Sequence, residues 1–410
     1  MGGNHSKFNR QWLVRSIVNR FVHMRTQPVA MQRVKLLLTS FLVSSAVISS
    51  AFSQTWTKTG AASNNWSSVA MSADGSRLVA VISGGGIYTS TNSGNNWVSN
   101  NAPVANWVSV ASSADGSKLA ALISGGEIYT STNSGGTWTS SFTTGGTSIA
   151  SSADGSILLV AYSSTSVNIS TNSGAAFSKK TVSNSITEGV ACASADGTIL
   201  MTAAPFGVDI STNSGASWVS ESGGNSMGET RGAAVSALGN MILAKADDGV
   251  YISTNGAQSF SNVFKGVPLS TAPSIAISAD GKDAFITIGT SNLYYSTDFG
   301  AIWASNSTPS AFSFITSSAD GNLLAAIGGG NIYTLFSPPA PALSLVPVGS
   351  NLVISWLVPS TNFVLQQNSG LTSQNWQTLT NAPTLNLTNL NNELVLRPTN
   401  DTGYYRLATP

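Results

Sequence analysis

The sequence predicts an all-β fold: a seven-bladed β-propeller of four-stranded antiparallel blades, followed by a small C-terminal β-sandwich. Two repeated phrases predict it. The first, residues 90–97 (STNSGNNW), has six copies about 42 residues apart. The second, Ser-Ala-Asp-Gly, runs in step with it. A fixed period of this length is typical of a repeat fold, in which each unit buries its apolar face against its neighbours.

One unit accounts for four strands. In the first unit, residues 67–72 predict a strand that ends at an Asp-Gly turn, where glycine supplies the positive φ of a tight hairpin. Residues 77–82 are mostly apolar, which is typical of a second strand covered on both faces. Residues 87–90 predict the third strand, and the fourth begins at Trp97, after the repeated phrase. Four antiparallel strands per unit predict a propeller blade.

The first phrase, here called the box, places three residue types at fixed positions. An Asn or Asp side chain can cap nearby backbone amides, a glycine can take the left-handed conformation, and an aromatic ring can pack beneath the turn. The predicted structural residues are Asn92, Gly94, Trp97, Asn133, Gly135, Trp138, Asn172, Gly174, Phe177, Asn213, Gly215, Trp218, Asn255, Phe260, Asp298, Gly300 and Trp303.

These residues resemble the Asp-box of the sialidase-type bacterial neuraminidase repeat, with Asn in the usual Asp position except at Asp298. The resemblance covers residues 54–336 and implies a propeller there. The same box occurs in sialidases, sortilin-type receptors, xyloglucan hydrolases and photosystem II assembly factors. The resemblance therefore implies a fold and not an activity.

The two phrases differ in number, and the difference predicts how the ring closes. The second phrase has seven copies, six with Asp and a degenerate one at residues 236–239, whereas the box has six. The last unit, residues 312–336, has three predicted strands and no box. Residues 54–58 match the strand that follows a box, with Trp56 in the aromatic position. We therefore expect this N-terminal strand to complete the seventh blade and remove its exposed edge.

The N-terminal extension, residues 1–53, has the pattern of a targeting segment. A short basic stretch precedes an apolar run at about residues 36–48, and small residues lie before Gln54, which is the pattern of a secretory signal peptide. The alternative is an uncleaved membrane anchor, although the run is shorter than the roughly 20 residues of a bilayer span. We expect a secreted protein, periplasmic, cell-surface or extracellular, that keeps no membrane span after cleavage.

The C-terminal part follows a proline-rich linker at residues 337–341. Short strand-like runs separated by turn residues predict a β-sandwich over residues 342–410. Its pattern around Phe363–Gln367, Trp376 and Gly403–Leu407 resembles C-terminal modules of secreted proteins from Verrucomicrobia-like bacteria. That resemblance leaves the role of the module open.

Composition excludes several chemistries. Only 9% of residues are charged, and without residues 1–53 eleven basic side chains remain against all 17 acidic ones, a net charge of −6. An acidic chain lacks the basic surface that nucleic acids require, so we expect no nucleic-acid partner. Both histidines lie in residues 1–53, which leaves no base for serine or cysteine nucleophiles and no imidazole for zinc. We expect no cofactor and no metal, a buried inert thiol at Cys192, and a monomer.

Enzyme activity is uncertain, and the sequence favours a non-enzyme. A sialidase grips its substrate carboxylate with three arginines, and the predicted propeller holds only Arg77 and Arg231. The recurring acids of the second phrase (Asp74, Asp115, Asp154, Asp196, Asp280 and Asp320) fit turns better than catalysis.

Deviations from the repeat give the candidate binding surface. Loops on one propeller face, at residues 178–187, 220–232 and 262–273, break the pattern. The candidate binding residues are Lys179, Lys180, Glu188, Phe206, Glu229, Arg231, Asp247, Asp248 and Lys265. The favoured function is a secreted scaffold that binds a protein or a glycan. The alternatives are a carbohydrate-active hydrolase or lyase that uses acids on these loops, and a structural component of a surface layer.

Overall fold

The computed structural model describes residues 55–410, apart from residues 144, 163–164, 183–188, 205–206, 222–226, 266–273, 289–290, 337–342, 359–363, 369–374, 398–403 and 409–410. All regular structure in these residues is β-strand, so the all-β prediction is confirmed for this part of the chain. The predicted extension, residues 1–53, lies outside the described residues. None of the described residues forms a helix of the length and hydrophobicity that crossing a bilayer requires.

The first unit has the predicted four strands. They are β2 (Trp66–Met71), β3 (Leu78–Gly85), β4 (Ile87–Ser90) and β5 (Val98–Ser99), paired antiparallel in chain order. Strand β3 runs three residues beyond its predicted end because Ser83 and Gly85 pair with the first strand of the next unit. This pairing joins the first two units in one eight-stranded sheet.

The next five units repeat the pattern. The second unit contains β6 (Ala105–Ser112), β7 (Leu119–Ile123), β8 (Glu127–Ser131) and β9 (Thr139–Thr143). The third contains β10 (Ser148–Ser151), β11 (Leu158–Ala161), β12 (Ser166–Ser170) and β13 (Ser178–Thr181). The fourth contains β14 (Ala191–Ala193), β15 (Leu200–Ala204), β16 (Gly207–Ser211) and β17 (Val219–Glu221). The fifth contains β18 (Thr230–Val235), β19 (Ile242–Ala246), β20 (Gly249–Ser253) and β21 (Ser261–Lys265). The sixth contains β22 (Ile275–Ile277), β23 (Ala284–Thr287), β24 (Asn292–Ser296) and β25 (Ala304–Ser307).

The last unit takes its fourth strand from the N-terminal side. Strands β26 (Phe312–Ser317), β27 (Leu323–Gly328) and β28 (Asn331–Phe336) form a sheet with β1 (Thr57–Lys58), and Thr57 pairs with Thr334. Trp56 packs edge-on against Phe312, with 4.7 Å between ring centroids. The two ends of the repeat region therefore share one sheet and one core.

The Ser-Ala-Asp-Gly turns join all seven units in a closed cycle of backbone hydrogen bonds. The alanine of each turn donates its amide to the alanine carbonyl of the next unit, at 2.7–2.9 Å, and Ala319 of the last unit donates to Ala73 of the first. The members of this alanine ring are Ala73, Ala114, Ala153, Ala195, Ala237, Ala279 and Ala319. Each unit is thereby hydrogen-bonded to the next through equivalent turn residues.

The box folds as a compact turn. In the first copy, the Ser90 hydroxyl accepts the Gly94 amide at 2.9 Å, and Asn92 Oδ1 accepts the Asn96 amide at 2.8 Å. Gly94 has a φ of 88°, and its carbonyl accepts the Trp97 indole N–H at 3.0 Å. Side-chain capping of this kind satisfies amides that the strands leave unpaired.

The C-terminal module contains two small sheets. The first contains β29 (Ser344–Val348), β30 (Asn351–Leu357), β33 (Thr384–Asn386) and β34 (Asn391–Leu396), and the second contains β31 (Val364–Asn368), β32 (Gln377–Thr378) and β35 (Tyr404–Ala408). Ile354, Trp356, Leu365 and Leu394 form a core shared by both sheets. The short strand β32 is an element that the sequence did not predict.

Candidate functional site

Each four-stranded unit has two ends of different character. At one end lie the Ser-Ala-Asp-Gly turns and the boxes, and we call it the box face. At the other lie the turns between second and third strands and the connections to the next unit, and we call it the variable face. Antiparallel pairing puts these two kinds of connection at the same end of every unit.

A charged cluster lies on the variable face of the fifth unit. Arg231, at a bulge in β18, donates through Nε to Asp247 Oδ1 at 2.6 Å and through Nη2 to Glu229 Oε2 at 2.9 Å. Asp247 lies in the turn between β19 and β20, and its amide donates to the Glu229 carbonyl at 3.1 Å. We call Glu229, Arg231, Asp247 and Asp248 the Arg231 cluster. The structure thus brings together four of the nine predicted binding residues.

Asp248 ties the turn to the loop beside it. Its Oδ1 accepts the Gly228 amide at 2.9 Å, and its Oδ2 accepts the Tyr251 hydroxyl at 2.6 Å. The adjacent Met227 side chain is fully buried in the core between the fourth and fifth units. Residues 220–232 break the repeat as predicted, but the part of this loop around Met227 is fixed to the core by a buried side chain.

The electrostatics of the cluster fit recognition better than proton transfer. The hydrogen bond and charge of Arg231 hold the pKa of Asp247 below its usual range. Burial and the hydrogen bond to Asp248 raise the pKa of the Tyr251 hydroxyl. A general acid for glycoside cleavage needs a carboxyl group with a raised pKa. The shift of the Asp247 pKa is in the opposite direction, so this carboxyl group is a poor general acid. The cluster combines one guanidinium with three acidic side chains held by hydrogen bonds.

The remaining predicted binding residues are not brought into this cluster by any described contact. Lys179 and Lys180 lie on the outermost strand of the third unit, opposite Asn168 and Val167. The backbone places Lys265 opposite Gly249, next to the Asp247–Asp248 turn. Glu188 and Phe206 lie outside the described residues.

Tyr251 is a site residue that sequence reasoning missed, although the repeat carried a signal. Five units have a tyrosine at one equivalent position, which lies two residues before the serine that begins the box. In the last unit, which has no box, the equivalent position is two residues before Leu335. The position is filled by Tyr88, Tyr129, Asn168, Asp209, Tyr251, Tyr294 and Tyr333. A tyrosine that recurs in most units indicates a packing role, so the sequence alone gives no reason to connect Tyr251 with the turn at Asp247 and Asp248.

Two other charged residues that depart from the repeat are internal. Asp209 and Lys245 are both fully buried in the strands β16 and β19. Neither is available to a partner at the surface.

One carboxyl group with a raised pKa, that of Asp283, lies on the box face. Burial, together with the charges of Asp280 and Asp320, raises the pKa of Asp283 to about 6 against the opposing effect of Lys282. Asp283 lies over Gly321 of the next unit, a contact that Met241 makes over Gly281 one unit earlier. Its position is therefore a repeated packing position between units.

Metal and thiol chemistry find no support in the described part of the chain. These residues contain no group of three or more His, Cys, Asp or Glu side chains that could hold a metal ion. Burial raises the pKa of Cys192 to about 12, and its Sγ donates to the Ala233 carbonyl at 3.1 Å. A thiol in this state is a poor nucleophile.

No protein-family model matches the chain, and no curated protein matches its sequence. Solved structures do match. A structure titled "YCF48 bound to D1 peptide" is 12% identical with a TM-score of 0.53, over 69% of this chain and 96% of that one. Hydrazine synthase of Kuenenia stuttgartiensis is 15% identical with a TM-score of 0.55, over 68% and 97%. The Cps50 (Swd1) β-propeller domain of Myceliophteria thermophila is 14% identical with a TM-score of 0.56, over 69% and 100%.

The chain has a β-propeller fold. At these identities the likeness extends to the fold alone, because propellers of one architecture carry unrelated functions. The predicted propeller is thereby confirmed at the level of fold class.

Proposed function

We propose that this chain is a secreted, non-enzymatic β-propeller that binds a protein partner through its variable face. The Arg231 cluster carries the proposal: the ion pairs to Glu229 and Asp247 fix its charged groups in one geometry, and the pKa of Asp247 is lowered. Charged side chains that are already held in place favour recognition, because they lose little conformational entropy when a partner binds. The solved structure of YCF48 bound to D1 peptide is one instance of this fold with a peptide ligand. For this reason we favour a protein over a glycan.

The proposal includes a finer architecture. We assign seven blades to residues 54–336, closed by the N-terminal strand, and a β-sandwich to residues 342–410 after the linker at 337–341. The cycle of hydrogen bonds from Ala73 to Ala319 and the pairing of β1 with β28 support this assignment. The shared core of the two C-terminal sheets supports the sandwich. The hydrogen bonds of the first box support its kinship with the Asp-box.

The same geometry argues against the enzymatic alternatives. Arg77 follows a box-face turn and donates to the Ser134 hydroxyl at 2.7 Å, whereas Arg231 lies on the variable face. Two arginines at opposite ends cannot grip one carboxylate. Asp283, whose pKa is raised, packs between units on the box face, at the other end of the units from the Arg231 cluster.

The test is a binding screen with a parallel assay for turnover. Mature protein from residue 54 is screened against a displayed peptide library, a glycan array and a panel of polysaccharides for hydrolysis. We expect peptide binding without turnover, weakened at least about tenfold by Arg231→Gln. Glu127→Gln is the matched control, because Glu127 lies on the variable face of the second unit, where Ser140 donates to its carboxylate. Turnover abolished by Asp248→Asn would overturn the proposal in favour of an enzyme.

Secretion has its own test. We expect expression of the full chain in a secreting bacterial host to yield a product outside the cytoplasm whose first residue is Gln54, measured by N-terminal sequencing. A product that stays in the membrane fraction at full length would support the anchor alternative.

A further inference from the structure

The alanine ring frames one end of a cavity on the propeller axis. The cavity has a volume of about 170 Å³ and is lined by the first strands and box-face turns of the seven units. Its wall at this end consists of the seven alanine side chains, with serines such as Ser113 and Ser318 beside them. The alanine side chains present methyl groups at the mouth, and their backbone amides are already bonded within the ring. The mouth is therefore suited to an apolar side chain and offers little to a charged one.

Residues of the C-terminal module cover this mouth. Leu390, in the turn between β33 and β34, lines the cavity. Val358, just after β30, is buried in one cluster with the seven alanines, and Leu357 and Leu390 pack against that cluster. These three side chains come from adjacent strand ends of one sheet, where Leu357 pairs with Asn391. They form a single apolar tip.

The tip is braced from within the module. The Val358 amide donates to the Leu390 carbonyl at 3.0 Å. Glu393 Oε1 accepts from the side-chain amides of Asn386 at 2.9 Å and Asn389 at 3.1 Å. Leu390 itself has a φ of 55°, in the left-handed region that leucine rarely adopts. A leucine held there by surrounding hydrogen bonds, with its side chain at the ring, indicates a position shaped for this contact.

We propose that the alanine ring is a docking surface and that the C-terminal module is its plug, with Leu390 as the sealing side chain. The occupant is this chain's own hairpin, seated on the axis. The cavity then opens only toward the variable face, so ligands reach the propeller from one side. This inference does not depend on what the variable face binds.

The test uses a single reporter thiol in the full chain. Ala153→Cys places a cysteine in the ring, and the native Cys192 is silent because it is buried and its pKa is about 12. The probe is a maleimide carried on a polyethylene glycol chain much larger than the cavity. We expect slow labelling in the Ala153→Cys background and at least tenfold faster labelling when Leu390→Asp is added. Leu387→Asp, on the same hairpin but exposed and outside the cluster, should leave the rate unchanged.

Two further variants separate unplugging from unfolding. Leu390→Gly removes the side chain and accepts the positive φ, so it should also speed labelling while the melting temperature is kept. Leu390→Met keeps an apolar tip and should label slowly. Equal labelling rates in the Leu390→Asp, Leu390→Gly and Leu390 backgrounds would overturn the plug, as would equal acceleration by Leu387→Asp.

Discussion

Replacing Asp283 with leucine should stabilise the protein at neutral pH. Asp283 packs over Gly321 of the next unit, and Leu323 makes the corresponding apolar contact over Gly75. Burial is the largest cause that raises the pKa of Asp283, from a usual 3.8 to about 6. Each pKa unit is worth about 1.4 kcal/mol, so the ionised carboxylate costs the folded state on the order of 3 kcal/mol above pH 6.

The direction of the pH dependence follows from the raised pKa. Between pH 3.8 and about 6 the folded state holds a proton that the unfolded state has lost, so stability falls as the pH rises through this window. Below it both states are protonated and the penalty is absent. The increase in the free energy of unfolding caused by Asp283→Leu should therefore be largest at pH 7.5 and smallest at pH 4. Burying an apolar side chain adds a further increase that does not depend on pH.

The assay is urea unfolding of the wild-type chain and the variant at both pH values. Asp115→Asn is the control, because its pKa shift has the opposite sign. Burial raises the pKa of Asp115, but hydrogen bonds from Ser113 and Ser117 outweigh it and leave the pKa lowered. Asp115→Asn should destabilise by nearly the same amount at pH 4 and 7.5, because the lowered pKa keeps this carboxylate ionised in the folded state at both pH values. A gain for Asp283→Leu that is the same at pH 4 and 7.5 would refute the argument from charge burial.

Three further changes test the packing of the propeller. Gly60→Ala should destabilise strongly in urea unfolding, because the new Cβ would collide with the backbone carbonyl oxygen of Asn95, whereas Gly125→Ala, with a φ of 63° and open space, should lose only about 1 kcal/mol. Trp56→Ala should cost about 3 kcal/mol and speed amide exchange in β28, since it empties the core where the chain ends meet. Tyr251→Phe removes the 2.6 Å hydrogen bond to Asp248 and should cost about 1 kcal/mol, with faster amide exchange at Gly228, whose amide Asp248 also accepts; unchanged exchange there would contradict the role of Tyr251 in holding Asp248.

The sequence predicted what depends on local chemistry and missed what depends on distant contacts. The box and the Asp-Gly turns place their donors and acceptors within a few residues, so Asn92 and Gly94 could be given roles from spacing alone. The pairing of β1 with β28 was also predictable, because Trp56 has the signature of a strand after a box. The ring of alanine hydrogen bonds could not be predicted, because it joins residues about 40 positions apart in the sequence. An alanine in a tight turn gives no sign that its amide bonds to another unit.

The fifth unit shows how a repeat can keep its geometry with altered residues. Its box reads Asn255-Gly256-Ala257, and Ala257 takes the positive φ of 74° at the position where the other five boxes have glycine. Its Ser-Ala-Asp-Gly turn has Leu238 in place of the aspartate, and Asn240 accepts the Ser236 hydroxyl at 2.8 Å instead. The turn survives because the capping group has moved two residues along the chain.

Departure from the repeat is a pointer to function only where the altered residue reaches the surface. Asp209 replaces a recurring tyrosine, and Lys245 stands where other units have residues such as Val81, yet both are fully buried. A buried charge is retained only with compensating interactions, so such changes reshape the interior of a blade and leave its faces alone. Arg231 differs, because it is the extra residue of a bulge in β18, at the position that Ser67 holds in the bulge of β2, and a bulge redirects the side chain of its extra residue. Among the described first strands, β2, β6, β18 and β26 have this bulge, and only β18 has a charged residue in it. The Arg231 cluster is therefore the surface to test first.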